Sequence, residues 1–358
     1  MKTLTVDLGE CSYPITIGRN EPGAIRDALR DATGDRPPVI ITSPRVRRYC
    51  LSKLETAFPK KYRYQILITP DGERSKNLKT VQKIYSKLLQ LKADRKSPLL
   101  LLGGGVLGDM AGFAAATYLR GVPYIQIPTT LIAQVDSSIG GKVGVDLDEG
   151  KNLVGAFYQP RAVAVDISFL KTLPPREFLA GLGEVIKYGL IEDPSLLELV
   201  SDGAGLVSNL NRLEELVFRS VKVKSRIVSS DEKETTGLRR ILNFGHTFGH
   251  AVERLTRYRR YRHGEAVAIG MVLAAKLSAK IGVCPSGLAH EVKRRIQAVG
   301  LPVEAPHFPE SRWLESLGVD KKREQKKIHF VFLKEMGETT VQPMEPGDLL
   351  AAIYKRWT

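Results

Sequence analysis

Cysteine is scarce in this chain of 358 residues: Cys11, Cys50 and Cys284 are the whole complement. Their odd number, wide spacing and lack of any C-x-x-C pair exclude a disulfide framework and a thiolate metal site, so any bound metal must rely on histidine and carboxylate. Long apolar runs are missing too. None approaches the roughly 18 to 20 residues that span a bilayer, and Met1 to Ile17 is broken by Lys2, Asp7 and Glu10, unlike a secretory signal. These absences predict a cytoplasmic protein with no membrane partner. Internal repeats and low-complexity tracts are also lacking, and glycine and proline are spread along the chain, so no long disordered segment is expected.

The length suits two domains, each with its own core. Lysine and arginine outnumber acidic residues by 54 to 39, a formal charge of +15. Such a surface attracts nucleic acid, anionic membranes or small anions, and net charge cannot choose among them. The densest basic stretch, residues 254–262, interleaves Arg257, Arg259, Arg260 and Arg262 with Tyr258 and Tyr261. No nucleic-acid module surrounds it, so it reads as a solvated loop near an anionic site.

From Leu4 to about Leu173 short apolar runs alternate with helical patterns. Residues 38–42, 65–68, 99–102, 124–127 and 162–165 read as buried strands, and Asn77 to Ala93 as an amphipathic helix. This alternation predicts an α/β fold: a Rossmann-like parallel-sheet domain over 1–173. After Thr172-Leu-Pro-Pro175 the pattern turns helical, notably at 213–228 and 265–281, with one late hairpin around 328–341. Residues 174–358 are therefore expected to form a mainly α-helical domain.

The run Leu99 to Leu102 leads into Gly103-Gly104-Gly105-Val106-Leu107-Gly108-Asp109, and a helix is expected from Met110 to Leu119. The glycines match G-x-G-x-x-G between strand and helix, where backbone N–H groups can hold a pyrophosphate. About 20 residues on, no acidic residue stands ready for an adenosine ribose. The loop is thus either part of another NAD fold or a tight turn. A second glycine segment, Asp136 to Asp146, sets Lys142 beside Gly140-Gly141, with Lys151-Asn152 following; anion binding and a hairpin turn are equally open readings.

His246 and His250 are four residues apart, so a helix would present both on one face. His263 follows, and Glu184, set with Lys187 among small and apolar residues, is the best carboxylate candidate. Two histidines and one carboxylate make a catalytic metal site with open positions. The other reading is hydrogen-bonded helical histidines.

Together these residues resemble one family, the 3-dehydroquinate synthases, from about Leu4 onward. The resemblance rests on Asp71-Gly72-Glu73-Arg74-Ser75-Lys76, the loop 103–109, Tyr118-Leu-Arg120-Gly121, Pro128-Thr129-Thr130, the segments 136–142, 151–153, 184–189 and 242–253, and the run from His263 to Met271. It implies a dehydroquinate synthase-like fold and a divalent metal, Zn2+ or Co2+, on Glu184, His246 and His263, with His250 turned to substrate. It implies NAD+ held by residues 71–76, by Gly104, Gly105, Val106, Leu107, Gly108 and Asp109, by Thr129, Thr130 and Asp136, and by Lys142, Lys151, Phe169, Leu170, Lys171 and Thr172. Glu73 would serve the ribose. Lys142, Asn152, Lys187, Lys224, Arg239, Asn243 and His250 would form the substrate pocket of a homodimer, with Arg120 reaching across the interface to phosphate.

The implied activity is that of a carbon–oxygen lyase in the shikimate pathway. NAD+ transiently oxidises the C5 hydroxyl of 3-deoxy-D-arabino-heptulosonate 7-phosphate, phosphate is eliminated, the hydride returns, and ring opening with aldol closure gives 3-dehydroquinate. Sister sugar-phosphate cyclases and a metal-dependent polyol dehydrogenase share this scaffold. Three departures stand out. Gly183 replaces the usual alanine, a change expected to be silent. The 257–262 loop is more basic than usual, which fits attraction of the anionic substrate. Asp320-Lys321-Lys322 lacks its following glycine, leaving Lys321, Lys322, Lys326 and Lys327 as rival phosphate contacts.

Overall fold

The computed structural model describes residues 1–19, 25–27, 30, 36–58, 63–317 and 327–354. Asp320, Lys321, Lys322 and Lys326 lie outside these. The chain divides into two compact units, Met1–Pro174 with Val207–Lys233, and Pro175–Leu206 with Glu234–Thr358.

The first unit contains β1 (Lys2–Val6), β2 (Tyr13–Gly18), β3 (Val39–Thr42), β4 (Gln65–Ile68), β5 (Leu99–Gly103), β6 (Tyr124–Pro128), β7 (Lys142–Leu147), β8 (Gly150–Phe157) and β9 (Ala162–Asp166). Seven of these form one sheet in the order β1-β2-β9-β6-β5-β3-β4. β1 runs antiparallel to β2, and the remaining pairs are parallel. The central strands are runs of Val, Ile and Leu because a parallel sheet is covered on both faces. The pleat sends alternate residues to opposite sides. Val39, Ile41, Leu99 and Leu101 pack with Val81, Ile84 and Leu88 of helix Leu78–Gln90 and with Met110 and Phe113 of helix Gly105–Thr117. Ile40, Leu100, Leu102, Ile125 and Ile127 pack with Leu51 and Leu54 of helix Pro44–Glu55.

Local boundaries differ from the sequence reading where side chains bind backbone. Asn77 stands outside its helix as the cap, its Oδ1 accepting the Thr80 N–H at 3.0 Å. The glycine helix starts at Gly105 rather than Met110 and stops at Thr117, because Leu119 and Arg120 adopt left-handed φ of 50° and 67°. Gly140 and Gly141, with φ of 97° and 65°, turn the chain into β7, which pairs with β8 as a separate hairpin.

Helix Leu210–Ser230, although late in sequence, clusters with the first unit. It buries an apolar face of Leu213, Leu216, Val217, Val221, Ile227 and Val228, and ion pairs join it to the same unit: Glu215 with Lys2, Glu214 with Arg19 at 2.8 Å, and Lys224 with Asp136 at 2.6 Å.

The second unit is helical apart from the hairpin of β10 (Ile328–Glu335) and β11 (Glu338–Met344). Helices Pro175–Ile191, His246–Leu255 and His263–Lys280 meet almost backbone to backbone at glycines. A Cβ on Gly264 would stand 1.7 Å from the Ala180 carbonyl oxygen, and one on Gly270 would stand 2.0 Å from that of Gly245. Gly183 is equally confined, its Cβ position lying 2.5 Å from the Gly264 carbonyl oxygen. Alanine at 183 is therefore not silent in this packing, because two helices must separate to admit it. Among the described residues no helix is long and apolar enough to cross a membrane.

Gly264→Ala is expected to destabilise the protein by about 3 kcal/mol or more through overpacking against backbone that cannot rotate away. Gly287→Ala, on an exposed helix with open space around it, should stay within about 1 kcal/mol of the unaltered protein, on the stabilising side. Chemical denaturation of both variants checks the contrast.

Candidate active site

The glycine contacts set three side chains against one another. Glu184 comes from helix Pro175–Ile191, while His246 and His263 are the first residues of their helices. Glu184 Oε1 lies 3.5 Å from His246 Nε2 and 3.5 Å from His263 Nε2. One donor atom from each residue falls within 4.8 Å of the others. Lys187, one helical turn on and 1% exposed, pairs with Glu184 Oε2. Glu184 is 0% exposed, and neither of its oxygens makes a hydrogen bond of standard geometry. A buried carboxylate left so is costly. A divalent cation between it and the two imidazoles would satisfy it, and the donor set is that of a catalytic metal site.

Burial opposes charge on Glu184, but Lys187, then His246 and His263, hold its carboxyl well below the usual range. Burial, with Lys187 alongside, pushes His246 down to about 3. Burial opposes protonation of His263 as well, yet the carboxylates of Glu184 and Glu253 beside its two ring nitrogens carry it up to about 10. A metal ligand must present a free lone pair, so binding there would displace the His263 proton.

Glu253, to which the sequence reading gave no role, is buried and places Oε2 3.4 Å from His263 Nδ1. Its signal was spacing, seven residues and two turns after His246. His250 is exposed and stands outside the Glu184 donor group, its ring edge-on to His246 with centroids 5.5 Å apart. Arg239 is buried 3.4 Å from Glu234, and Asn243 is exposed at the end of the turn Leu238–Asn243.

The loop 254–262 leads directly into His263. Arg257 and Arg259 are exposed and make no ion pair among the described residues. Arg257 and Tyr258 take left-handed φ of 52° and 55°. Arg262 pairs with Glu177 at 2.8 Å, and Arg176 grips Glu265 with two hydrogen bonds of 2.7 and 2.8 Å while donating to the Arg260 carbonyl. The loop is thus pinned at one end with two guanidiniums left in solvent.

In the first unit the glycine loop forms a bare helix N-terminus. Gly104 occupies the cap position without a side-chain hydrogen bond, which suits an anion over the first turn. A Cβ on Gly104 would meet Thr130 at 3.0 Å, and one on Gly105 would meet Ser137 Oγ at 2.7 Å. The structure also joins residues that the sequence reading kept apart. Lys76, 4% exposed, donates to Asp109 at 2.6 Å and to Asn152. Burial raises the Asp109 carboxyl while Lys76 draws it back. Lys151 pairs with Glu73 at 3.0 Å, and Lys224 holds both the carboxylate and the carbonyl of Asp136, which lies on a π-helical turn.

Other expected site residues are less gathered. Asp71 and Arg74 are exposed beside Gly72, whose φ is 86°, and Ser75 is buried with its hydroxyl on the Gly72 carbonyl. Val106 is half-buried, whereas Leu107 belongs to the sheet core. Phe169 and Leu170 are fully buried, leaving only Lys171 and Thr172 exposed on that turn. Thr129 is buried and donates its N–H to Gly103 at 2.9 Å. Lys142 is exposed at the start of β7. Arg120 is exposed, and its side chain makes no ion pair or hydrogen bond among the described residues.

A model of the 3-dehydroquinate synthase N-terminal region matches residues 66–180, and one of the C-terminal region matches 181–323. A 3-dehydroquinate synthase of Syntrophotalea carbinolica is 43% identical over 100% of this chain and 99% of its own. Among solved structures, 2-deoxy-scyllo-inosose synthase complexed with carbaglucose-6-phosphate, NAD+ and Co2+ superposes with a TM-score of 0.87 at 27% identity, covering 98% of this chain and 99% of that one. The 2-epi-5-epi-valiolone synthase of Streptomyces hygroscopicus subsp. jinggangensis, with NAD+ and Zn2+ bound, gives 0.86 at 27% identity, covering 97% of each. With both regional models matched and full-length identity to a curated member, this chain belongs to the 3-dehydroquinate synthase family.

Proposed function

We propose that this chain converts 3-deoxy-D-arabino-heptulosonate 7-phosphate to 3-dehydroquinate and phosphate, using NAD+ and a divalent metal, Zn2+ or Co2+. The observation that carries the reading is the full-length likeness to a 3-dehydroquinate synthase in a chain that keeps Glu184, His246 and His263 together.

Bound NAD+ would supply a hydride acceptor regenerated within each turnover, and the metal a Lewis acid beside the hydroxyl that is oxidised. Glu184, His246 and His263 would hold the metal, and Lys187 keeps the Glu184 carboxylate ionised. The open helix end at Gly104-Gly105-Val106 would take the pyrophosphate, with Asp109 fixed by Lys76 beneath it. Glu73, Asp71, Thr129, Thr130 and Asp136 would complete the cofactor contacts. Lys142, Asn152, Lys224, Arg239, Asn243 and His250 would bind the carboxylate, hydroxyls and phosphate of the substrate, replacing lost hydration with charged and amide donors. His250 could exchange a proton with a substrate hydroxyl.

The family reading also makes the protein a cytoplasmic homodimer, with Arg120 crossing to the partner's phosphate site. Two features favour this. Arg120 sits in a strained left-handed turn with no side-chain ion pair or hydrogen bond among the described residues, and the nearby hairpin leaves Leu153 60% and Phe157 44% exposed. A second reading, a cyclase of another sugar phosphate, is favoured only by the fold likeness to 2-deoxy-scyllo-inosose synthase.

Metal-stripped protein should release no phosphate from 3-deoxy-D-arabino-heptulosonate 7-phosphate until Zn2+ or Co2+ is added, and then do so without accumulating NADH. Steady NADH production would mean a dehydrogenase, and phosphate release from a different sugar phosphate alone would mean a sister cyclase. Reversing charge in the basic loop, Arg257→Glu with Arg259→Glu, is expected to lower kcat/KM about 10-fold at low salt while sparing kcat, because steering acts on encounter and is screened by ions. The salt dependence of kcat/KM should flatten in that variant; an unchanged slope would exclude steering by this loop.

A further inference from the structure

We infer that Glu253 is a positioning residue that fixes the tautomer and orientation of His263 for metal binding; the inference rests on the metal-site reading above. Helix His246–Leu255 starts with His246 and carries Glu253 seven residues later, two turns along. The two side chains therefore leave one face of the helix. One supplies a ligand directly. The other reaches a ligand on the next helix.

Glu253 is 4% exposed, and its Oε2 lies 3.4 Å from His263 Nδ1, while His263 Nε2 lies 3.5 Å from Glu184 Oε1. A neutral imidazole carries one proton. When Nδ1–H is directed at a buried carboxylate, the lone pair is left on Nε2, where Glu184 waits. The His263 side chain is 34% exposed, so packing alone does not lock its ring against a flip or a change of tautomer. The Glu253 carboxylate provides that constraint, and its charge raises the basicity of Nε2.

Glu253 is itself firmly placed. Gly249, one turn earlier, lets its helix come so near the next that a Cβ there would lie 3.1 Å from Val267 Cα. The Glu253 carbonyl accepts the Tyr258 N–H at 2.8 Å, a bond that any side chain at 253 would preserve. His250, Glu253 and His263 also bring donor atoms within 4.8 Å of one another, so a second ion held by Glu253 itself is the competing arrangement.

Metal-free protein would be titrated with Co2+ and Zn2+ against a chromophoric chelator, for the unaltered chain and for Glu253→Gln and Glu253→Ala. The unaltered chain should take one ion. Affinity should fall by about 10 to 100-fold in E253A and by less in E253Q, whose amide oxygen can still accept from Nδ1. The Co2+ absorption spectrum should change in both, while thermal unfolding of the metal-free proteins stays together, a pattern that a purely structural role would not give. Unchanged affinity and spectrum would overturn the inference. So would two ions per unaltered chain with one lost in E253A, which would make Glu253 a ligand. No binding by the unaltered chain would overturn the metal reading and this inference with it.

Discussion

A fully buried carboxylate is the constraint around which the second unit is organised. Glu184 stays ionised in an apolar helix bundle only because Lys187 sits on the adjacent turn and two imidazoles face its other oxygen. Each partner must arrive from a different stretch of chain, and none has much reach. Three helices consequently approach until their backbones touch, which requires hydrogen at the Cα of Gly264 and Gly270. Glycine weakens a helix interior by about 1 kcal/mol per residue. Here that loss is the condition for gathering the donors.

The same economy of distance recurs in the first unit. Gly105, Gly108 and Gly112 let the glycine helix lie against Ser137, Gln126 and Val143, and its first turn has no side-chain cap. Charged residues then tie loops of different origin together: Lys76 joins Asp109 to Asn152, and Lys224 joins helix Leu210–Ser230 to Asp136. These pairs are largely buried, so their geometry is held tightly, in contrast to the Arg294–Glu291 pair on helix Ser286–Ala298, whose guanidinium lies in solvent and contributes little.

Where sequence reading went astray, the cause was local chemistry that periodicity does not register. The glycine helix has almost no amphipathic signature because it is buried on all sides, so its true start at Gly105 was hidden. Gly183 reads as a harmless variation because sequence says nothing about the Gly264 carbonyl facing it. Leu107 and Phe169 fall within motifs associated with cofactor binding, yet their side chains fill the two faces of the sheet core. Membership of a motif does not specify whether a residue contributes its side chain, its backbone or only its bulk.

Legible in the residues alone were the alternation of strand and helix, the shift to a helical second half, the glycine loop, a cluster of histidines with a candidate carboxylate, and the family. All are local patterns, set by hydrophobic period, turn residues and short-range spacing. Only the folded chain reveals that helix Leu210–Ser230 joins the first unit, that Lys76 bridges Asp109 and Asn152, and that Glu253 lies against His263. The reason is that these contacts link residues distant along the chain, or on different helices, and depend on how closely two backbones can approach, which no single stretch of sequence encodes.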